Sequence, residues 1–450
     1  MTYKNLDYLN ISTSDFSDKR CHFIGIGGVS MQRLAKLAQP YFLSVTGSDA
    51  TYSEVIDQLV LEGIGAYVGT DERVIDGADI VVYSSAISDS NVELSRARLR
   101  GIPTLERGEF LGIIMRSADV GVAIAGTHGK STTTAILGNI MRVAHMSATV
   151  HVGATSIDPM PMSGTDYFVT EACEYNRALL HLDPYVGVVL NVDYDHPDIF
   201  KGIEDVRATF DMFMDRCDIV VTHESVARDG AITFGGSDSA DYRICNITRK
   251  GERYTFDIEH EDVYTRIVSP LYGIHNINNV TAAYVIARVL SIDETDIITG
   301  IETFGGLERR FEKVGVTREG AIVIHDYAHH PEEIRRTIAT AQSLTHHRVI
   351  VVFEPHTYSR TRSLLSGFLD TFYWADSLIL LPTFSARETP EQGYTTLELI
   401  EHMRDIGEYP LYFESYKRTA SYLHASVCSG DIILVVGAGR VDHLAHMLVE

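Results

Sequence analysis

One short segment constrains the fold of this 450-residue chain more than any other part of its sequence. The apolar run Val120–Ala125 leads into Gly126-Thr127-His128-Gly129-Lys130-Ser131, after which apolar residues recur with helical spacing. A glycine-rich turn between a strand and a helix is typical of phosphate-binding loops, where backbone N–H groups and the helix N-terminus hold phosphate oxygens. In such a loop Lys130 reaches the outer phosphates and the Ser131 hydroxyl binds Mg²⁺.

Composition limits the partners that the chain is expected to have. Asp and Glu total 61 against 38 Lys and Arg, so the formal net charge is −23. An acidic surface repels phosphate backbones, so we expect no nucleic-acid partner and small-molecule ligands held by local donors. No apolar run approaches the roughly 18 residues of a membrane span, and the N-terminal stretch lacks the apolar segment of a secretory signal. We therefore expect a cytoplasmic protein without membrane association, and we predict a monomer or weak homo-oligomer.

Strand-like and helix-like segments alternate in three blocks, which predicts an α/β protein. We predict domains over residues 1–118, 119–307 and 308–450, with two glycines marking the second link. Between about 228 and 267 apolar and polar residues alternate, and this pattern predicts antiparallel strands beside the central sheet. The other predicted strands include 42–45, 80–83, 102–104, 120–125, 167–170, 186–191, 321–325, 349–353, 377–381 and 432–436, and helices are predicted at 31–37, 132–143, 276–290 and after residues 331, 360, 395 and 414.

Polar residues follow two predicted strands of the second block. Glu171 comes after the run 167–170, and His196 follows the next run. The carboxyl ends of parallel strands meet at one sheet edge, so a carboxylate and an imidazole there could hold the metal of bound ATP. For most of the four residues Glu174, Asp193, Asp195 and Asp198 we expect only that they solvate these loops. Taken alone, His196 fits a structural role better than a ligand role.

The first block contains a second glycine-rich turn, Gly25-Ile26-Gly27-Gly28. It resembles a dinucleotide-binding turn, and Asp49 follows at a spacing that suits a ribose contact. Ser30 stands at the position of the third glycine of that pattern, which favours a generic diphosphate-binding turn over an NAD site. A dehydrogenase built on this turn is the alternative, and it leaves the central phosphate loop unexplained.

Two asparagines open the last helix predicted in the second block. Asn276 and Asn279 lie three residues apart and therefore share a helical face. Their amide groups suit the edge of an adenine base. Ordinary N-capping by Asn276 accounts for that residue equally well.

Two loops of the third block that contain many polar side chains join strand ends to helix starts. The first is Asp326-Tyr327-Ala328-His329-His330-Pro331 and the second runs from Phe353 to Arg362. Both lie where an open α/β sheet binds ligands. A histidine beside a guanidinium could orient the amine and carboxylate of an amino acid. Two ordinary capped helix starts are the alternative.

Together these motifs, which run in order from about residue 21 to the C-terminus, resemble the Mur ligase family. The resemblance implies an N-terminal Rossmann-like domain, a central P-loop ATPase-like mononucleotide-binding sheet and a C-terminal Rossmann-like domain. The segments that carry it are His22–Gly28, Gly126–Thr134, Glu171–Glu174, His275–Asn279, Asp326–Pro331 and Pro355–Arg362.

The resemblance also implies roles for the matching positions, with ATP and Mg²⁺ required for activity. The ATP-binding set would be Gly126, Thr127, His128, Gly129, Lys130, Ser131, Thr132, Asn276, Asn279, Arg310 and Asp326. The metal set would be Ser131, Glu171 and His196, and the catalytic set Lys130, Glu171, His196, His329 and Arg360, of which the last two would place the amino acid. The uridine nucleotide of the other substrate would be lined by Gly25, Gly27, Gly28, Asp49, Ser84, Ser85 and Arg107.

The two third-block loops are typical of the family member that adds L-alanine. The implied reaction joins L-alanine to the lactyl carboxylate of UDP-N-acetylmuramate through an acyl phosphate, as a step of peptidoglycan precursor synthesis. Two alternatives are a family member that attaches a preformed peptide and, more remotely, a nucleotide-binding protein without ligase activity. Four positions depart from the pattern of many family members. Ser131 replaces Thr and keeps the hydroxyl, Cys173 replaces Asp and receives no metal role, Thr357 replaces Arg, and Thr70 replaces His.

Overall fold

Three β-sheets, each with helices packed on it, follow one another along the chain in this computed structural model. The structure describes residues 12–449 apart from 197–198, 227, 251–252, 346 and 387, so residues 1–11 of the N-terminal stretch, and Asp198, lie outside it. The succession of sheets confirms the predicted three-part α/β fold. Within the described residues no helix combines the length and apolarity that a membrane crossing requires.

The first sheet is a parallel, Rossmann-like sheet. Its strands are β1 Arg20–Ile24, β2 Ser44–Asp49, β3 Gly65–Val68, β4 Ile80–Tyr83 and β5 Thr104–Glu106, and its helices are α1 Val29–Ala38, α2 Glu54–Leu61, α3 Val92–Leu99 and α4 Arg107–Met115. The strand order is β3-β2-β1-β4-β5, so the winding reverses between β1 and β4. Ligands of open α/β sheets bind at such a reversal, outside the carboxyl ends of the strands.

The central sheet is mostly parallel, with an antiparallel hairpin region at one edge. Its strands are β6 Val120–Ala125, β7 Ala148–His151, β8 Tyr167–Ala172, β9 Val186–Val189, β10 Ile219–His223, β11 Ile232–Gly235, β12 Tyr242–Lys250, β13 Arg253–His260 and β14 Val263–Ser269. Its helices are α5 Lys130–Val143, α6 Ile203–Met214, α7 His275–Val289 and α8 Glu294–Glu302. The order β14-β13-β12-β11-β10-β9-β6-β8-β7 places β6 between β8 and β9.

The third sheet is parallel except for its first strand. Its strands are β15 Glu312–Val316, β16 Ile322–Asp326, β17 Val349–Phe353, β18 Ser377–Leu380, β19 Leu411–Tyr412 and β20 Ile432–Val436. Its helices are α9 Pro331–Leu344, α10 Tyr358–Ser363, α11 Leu365–Phe372, α12 Thr396–Asp405, α13 Tyr416–Ser426 and α14 Asp442–Met447. In the order β15-β16-β20-β17-β18-β19 the strands β16 and β17 flank β20, so the loops after them open at the same edge.

The predicted elements are confirmed best where strands are apolar throughout. β17 and β20 match their predicted runs because both are buried on both faces. β2 extends beyond its predicted run because Ser48, a buried polar residue, belongs to the strand. The antiparallel prediction for 228–267 is partly wrong, since β11 pairs in parallel with β10 and β12. The helix predicted after Arg360 is α10, which already begins at Tyr358.

A close helix contact supports the segment that follows the phosphate loop. α5 packs against α8, where Gly300 faces Ile140. A Cβ atom on Gly300 would lie 2.5 Å from the Ile140 Cα atom, so only glycine permits this approach. Asn139, which is buried, donates from Nδ2 to the Gly300 carbonyl at 2.7 Å. The contact therefore holds the helix whose N-terminus ends the phosphate loop.

We predict that Gly300→Ala lowers the free energy of unfolding by about 1–3 kcal/mol, because the added methyl group overpacks the contact. Helix propensity alone predicts the opposite sign, since alanine favours a helix by up to about 1 kcal/mol over glycine. Urea denaturation would measure the change, with Gly202→Ala as the control because a Cβ there meets nothing within 4 Å. A stabilised Gly300→Ala protein would contradict the close contact.

Candidate active site

The loop between β6 and α5 has the backbone of an anion-binding turn. Gly126 and Gly129 adopt φ values of 140° and 88°, in the region that favours glycine. α5 begins at Lys130, and its N-cap residue Gly129 supplies no side-chain hydrogen bond to the first turn. The opening amides of α5 therefore keep their capacity to hold an anion.

Asn191, directly after β9, holds this loop in shape. Its Oδ1 accepts a hydrogen bond from the His128 N–H at 2.8 Å, and its Nδ2 donates to the His128 carbonyl at 2.9 Å. The Asn191 carbonyl accepts from the Thr127 N–H at 3.2 Å. The Thr127 hydroxyl in turn accepts from the Asp193 N–H at 2.9 Å. Protein contacts alone thus fix the backbone of the loop.

A cavity of about 730 Å³ opens beside the loop, a volume typical of small-molecule sites. It joins the central domain to the third sheet and brings together the residues that the sequence predicts for ATP. Lining residues that belong to that set are Thr127, His128, Gly129, Lys130, Ser131, Thr132, Asn276, Asn279, Arg310 and Asp326. Glu171, His196, His329 and Arg360 lie outside the lining, and so do the first-domain residues.

Lys130 folds back over its own loop and pairs with Glu174. Its Nζ lies 2.5 Å from the Gly126 carbonyl, 3.0 Å from the Thr127 carbonyl and 2.9 Å from Glu174 Oε2. Burial alone would lower the pKa of Lys130, but the Glu174 carboxylate outweighs it and the pKa is raised. Burial alone would raise the pKa of Glu174, which Lys130 instead lowers. Glu174 is buried in this ion pair, so the prediction that it mainly solvates its loop is wrong.

The carboxylates that contact His196 are those of Glu174 and Asp195 rather than that of Glu171. His196 Nε2 lies 3.7 Å from Glu174 Oε1, whereas Glu171 Oε1 accepts a hydrogen bond from the Gly153 N–H at 2.5 Å. Across the described part of the chain, no group of three or more His, Cys, Asp or Glu is placed to hold a metal. Mg²⁺ binds few protein oxygens and takes the rest from phosphates and water, so the Ser131 hydroxyl and a carboxylate at this loop fit it in kind.

The asparagines of α7 pack against the phosphate loop. Asn279 is buried and would contact any Cβ atom placed on Gly129. Its Nδ2 donates to Asn276 Oδ1 at 2.8 Å, and Asn276 Nδ2 donates to the Tyr272 carbonyl at 2.6 Å. The N-cap of α7 is Ile274, so the alternative of N-capping by Asn276 is wrong. Both amides line the cavity instead.

Asp326, at the end of β16, fastens the chain that enters the third domain. Its Oδ1 accepts from the Ala328 N–H at 2.7 Å and its Oδ2 from the Phe311 N–H at 3.0 Å. Burial raises the pKa of Asp326 to about 6. Arg310, next to Phe311, stacks over the Tyr327 ring at 5.2 Å and lines the cavity. Asp326 therefore sets the position of Arg310 at the cavity wall.

The two residues predicted to place the amino acid belong to one cluster, which reaches the central domain. Arg360 Nη2 lies 3.4 Å from Asp195 Oδ1, and Arg360 Nη1 donates to His356 Nδ1 at 3.2 Å. The His329 and His356 rings lie 5.7 Å apart. His329 Nδ1–H donates to the Tyr327 carbonyl at 3.0 Å, and burial, aided by Arg360, lowers the pKa of His329 to about 4.

Asp195 is buried, so the prediction that it mainly solvates its loop is wrong. Burial alone would raise its pKa, but Arg360 outweighs that effect and holds the pKa below its usual range. The loop that carries Arg360 is also strained, because Thr357, the N-cap of α10, has φ 66° and ψ 145°. A β-branched residue rarely adopts that conformation, and such strain concentrates at functional sites.

His128 directs its ring away from the loop backbone towards two carboxylates from different domains. Its Nδ1 lies 3.0 Å from Glu333 Oε1 on α9, and its Nε2 lies 3.4 Å from Asp193 Oδ2. Burial alone would lower the pKa of His128, but the carboxylates of Asp193 and Glu333 raise it to about 9. The ring is therefore a buried imidazolium whose Nδ1–H donates to Glu333 and whose Nε2 lies in ion-pair range of Asp193.

The first-domain residues lie at the carboxyl ends of strands of the first sheet, where an open α/β sheet has its ligand crevice. Gly25 (φ 81°) and Ile26 donate their N–H groups to the Ser48 carbonyl. Asp49 Oδ2 accepts from the Gly27 N–H at 3.0 Å and so shapes the turn that the sequence predicts for a diphosphate. The remaining predicted positions are Gly28 at the N-cap of α1, Ser84 and Ser85 after β4, and Arg107, which donates to Ser30 Oγ at 3.2 Å.

Comparison with known proteins defines the class. Three domain models match in succession: the Mur ligase family catalytic domain at residues 20–118, the Mur ligase middle domain at 124–287 and the Mur ligase glutamate ligase domain at 309–439. This chain belongs to the Mur ligase family, as its motifs predict.

Individual relatives indicate which members of the Mur ligase family this chain resembles. The UDP-N-acetylmuramate–L-alanine ligase of Clostridium acetobutylicum is 38% identical, over 96% of this chain and 98% of the relative. The fold is similar to that of the UDP-N-acetylmuramate–alanine ligase from Thermotoga maritima, with TM-score 0.79, 24% identity and coverage of 96% and 98%. It is also similar to a murein peptide ligase from Psychrobacter arcticus, with TM-score 0.70, 21% identity and coverage of 96% and 100%.

Sequence reasoning missed the roles of three carboxylates, Glu174, Asp195 and Glu333. Each pairs with a cation that the sequence did identify, but the partner is distant along the chain. The only local signal was for Glu333, three residues after His330, which is the spacing of a capping box. That box does form, so the alternative of a capped helix start is confirmed for α9. The same carboxylate also contacts His128 of the central domain.

We predict that His128 titrates with a midpoint of about 9 in the folded protein. Since this value lies above the ordinary 6.5, its contacts stabilise the fold fully below pH 6.5 and lose that effect as pH rises through 9. Glu333→Gln should lower the midpoint of His128. Only the Asp193 carboxylate would then remain to oppose burial, which favours the neutral ring. The titratable and charged groups near the ring are Asp193, Glu333, His330, His275 and Arg336.

Histidine-labelled NMR would record the titration. Glu319→Gln is a matched control, since Glu319 bonds His424 through the same pair of atom types at 3.0 Å elsewhere in the third domain. It should leave the His128 midpoint unchanged. A wild-type midpoint at or below 6.5 would contradict the two contacts.

Proposed function

We propose that this protein joins L-alanine to the lactyl carboxylate of UDP-N-acetylmuramate, with cleavage of ATP to ADP and phosphate, in cytoplasmic peptidoglycan precursor synthesis. Relatives of that name match nearly the whole chain at 34% and 38% identity. The structural observation that carries the proposal is that one loop, after β9, serves both places: Asp193 lines the phosphate-loop cavity, and Asp195 pairs with Arg360 of the third domain. An activated acid formed at the first lies beside an amine held at the second.

A carboxylate is a poor electrophile, so it must be activated before an amine attacks. A lactyl carboxylate oxygen attacks the γ-phosphorus of ATP, and the bond between that phosphorus and the β,γ-bridging oxygen breaks. ADP leaves, and the carboxylate has become an acyl phosphate. Two anions approach each other in this step, and Lys130 with the opening amides of α5 offsets their repulsion. Lys130 would exchange Glu174 for phosphate oxygens when ATP binds, because Glu174 holds its Nζ group at the loop.

The metal would lie at the same loop. Mg²⁺ held by Ser131 and Glu174, with Glu171 and His196 as further predicted ligands, would neutralise charge on the phosphates. Asn276 and Asn279 would face the adenine, and Arg310 the phosphates, since all three line the cavity. Asp326 would act mainly by fastening the Arg310 segment, because both of its oxygens already accept backbone hydrogen bonds.

The acceptor amine must be neutral when it attacks the acyl carbon and expels phosphate. His329 donates from Nδ1 to a carbonyl, which leaves its Nε2 lone pair to accept a hydrogen bond from the amine. With a pKa of about 4 it orients the amine rather than storing its proton at neutral pH. Arg360 would bind the carboxylate of L-alanine. The uridine nucleotide would occupy the first-domain crevice of Gly25, Gly27, Gly28, Asp49, Ser84, Ser85 and Arg107.

Phosphate release with ATP, Mg²⁺ and UDP-N-acetylmuramate tests the proposal directly. We expect release that depends on L-alanine and on all three other components. A second candidate is a murein peptide ligase, because one such enzyme has a similar fold. Replacing L-alanine with a preformed tripeptide in the same assay distinguishes the two candidates. Phosphate release with the tripeptide but not with L-alanine would favour the second candidate. ATP binding without release under any condition would contradict ligase chemistry.

We predict that Lys130→Met lowers the rate of phosphate release by about 10²- to 10³-fold, because the transferring phosphoryl group loses a cation. Removing Lys130 also leaves Glu174 buried without its partner, which destabilises a protein by about 3–5 kcal/mol. The double variant Lys130→Met/Glu174→Gln should therefore be more stable but equally inactive. Lys36→Met is the matched control, since Lys36 pairs with Glu62 on the first domain at 2.7 Å. Near-normal release by the double variant would rule out this role.

A further inference from the structure

One carboxylate, that of Glu333, connects the nucleotide loop to the histidine assigned to the acceptor amine. Its Oε1 lies 3.0 Å from His128 Nδ1, on the phosphate loop. Its Oε2 accepts from the backbone N–H of His329 at 3.2 Å and from that of His330 at 3.4 Å. The two oxygens thus serve two domains at once.

We propose that Glu333 and His128 are positioning residues: they hold His329 where it orients the acceptor amine for its attack on the acyl phosphate. This inference rests on the proposed function. Neither side chain is required to touch the acceptor. Glu333 acts on the backbone of His329, and His128 acts on Glu333.

The environment of the pair suits such a role. Glu333 is largely buried and His128 is buried, so solvent screens their interaction weakly. His330, the N-cap of α9, makes a parallel contact, because its Nε2 lies 3.3 Å from the Tyr194 carbonyl of the central domain. A displacement of the phosphate loop would therefore shift the segment just before α9, which contains His329, through these two contacts.

A helix cap by itself does not explain this arrangement. The third domain holds a second capping box at the start of α12, in which Glu398 Oε2 accepts from the Thr395 N–H at 2.7 Å and from the Thr395 hydroxyl at 2.9 Å. Among the described residues, the hydrogen bonds of Glu398 stay within its own helix start. Glu333 makes the same kind of cap and adds a contact with an imidazolium from the neighbouring domain.

The first test compares Glu333→Gln with Glu398→Gln in the alanine-dependent reaction. Glu333→Gln should lower kcat/KM for L-alanine by about 10- to 100-fold, the range expected for losing a charged hydrogen bond. Its affinity for ATP, measured by fluorescence titration, should change by less than about threefold. Formation of ADP in a single turnover without amino acid should likewise be preserved. Glu398→Gln should leave all three quantities near wild type, although it removes the same charge from a similar helix cap.

The second test is a double-mutant cycle. His128→Ala should reduce kcat/KM for L-alanine as Glu333→Gln does, and the double variant should be no worse than the poorer single variant. His128→Asn, which keeps an N–H donor on the loop, should recover part of the loss. His128→Ala leaves the carboxylates of Asp193 and Glu333 without their cation and could therefore unfold. In that case the cycle is run with His128→Asn, after the midpoint of thermal unfolding of that variant has been measured.

The outcomes separate this inference from the proposed function. Absence of ligation by the wild-type protein overturns the function and the inference together. Wild-type ligation with a normal kcat/KM in Glu333→Gln, or with effects of the two variants that simply multiply, overturns the inference alone. An equal loss of ADP formation without amino acid assigns the pair to phosphoryl transfer and likewise overturns it.

Discussion

Charge compensation among buried groups is the constraint on which this structure depends. Lys130, Arg360 and His128 are cations removed from water, and each has a carboxylate partner in hydrogen-bonding or ion-pair range. An unpaired buried charge is far more costly than a paired one, so these residues could not occupy the site alone. The partners of Arg360 and His128 come from the facing domain, and so the same pairing that permits burial also brings the two domains together.

The competition between ligand and carboxylate follows from that arrangement. A triphosphate at the phosphate loop, as proposed above, would compete with Glu174 for the Lys130 Nζ group. The cation would then keep an anionic partner whether or not nucleotide is bound. Under the same proposal, Asp195 would compete with the carboxylate of an amino acid for Arg360.

Local features were predictable from the sequence and long-range pairings were not. The phosphate loop, β17 and β20 depend on neighbouring residues, so glycine spacing and apolar runs identify them. The pairing of Lys130 with Glu174 joins residues 44 positions apart, and that of His128 with Glu333 joins residues 205 apart. No periodicity encodes such contacts. The family resemblance supplied the cations and several ligands, but it passed over their partners because acidic residues near a loop usually face solvent.

Asn191 makes the phosphate loop rigid without a ligand. By engaging both the N–H and the carbonyl of His128, it orders the loop during folding, before any nucleotide arrives. A loop that is already rigid loses little conformational entropy on binding, so contacts with phosphate translate more fully into affinity. The same rigidity limits how far the turn can adapt to an anion of different shape. The folded chain itself would thus discriminate among phosphate ligands by their shape, without any rearrangement of this turn.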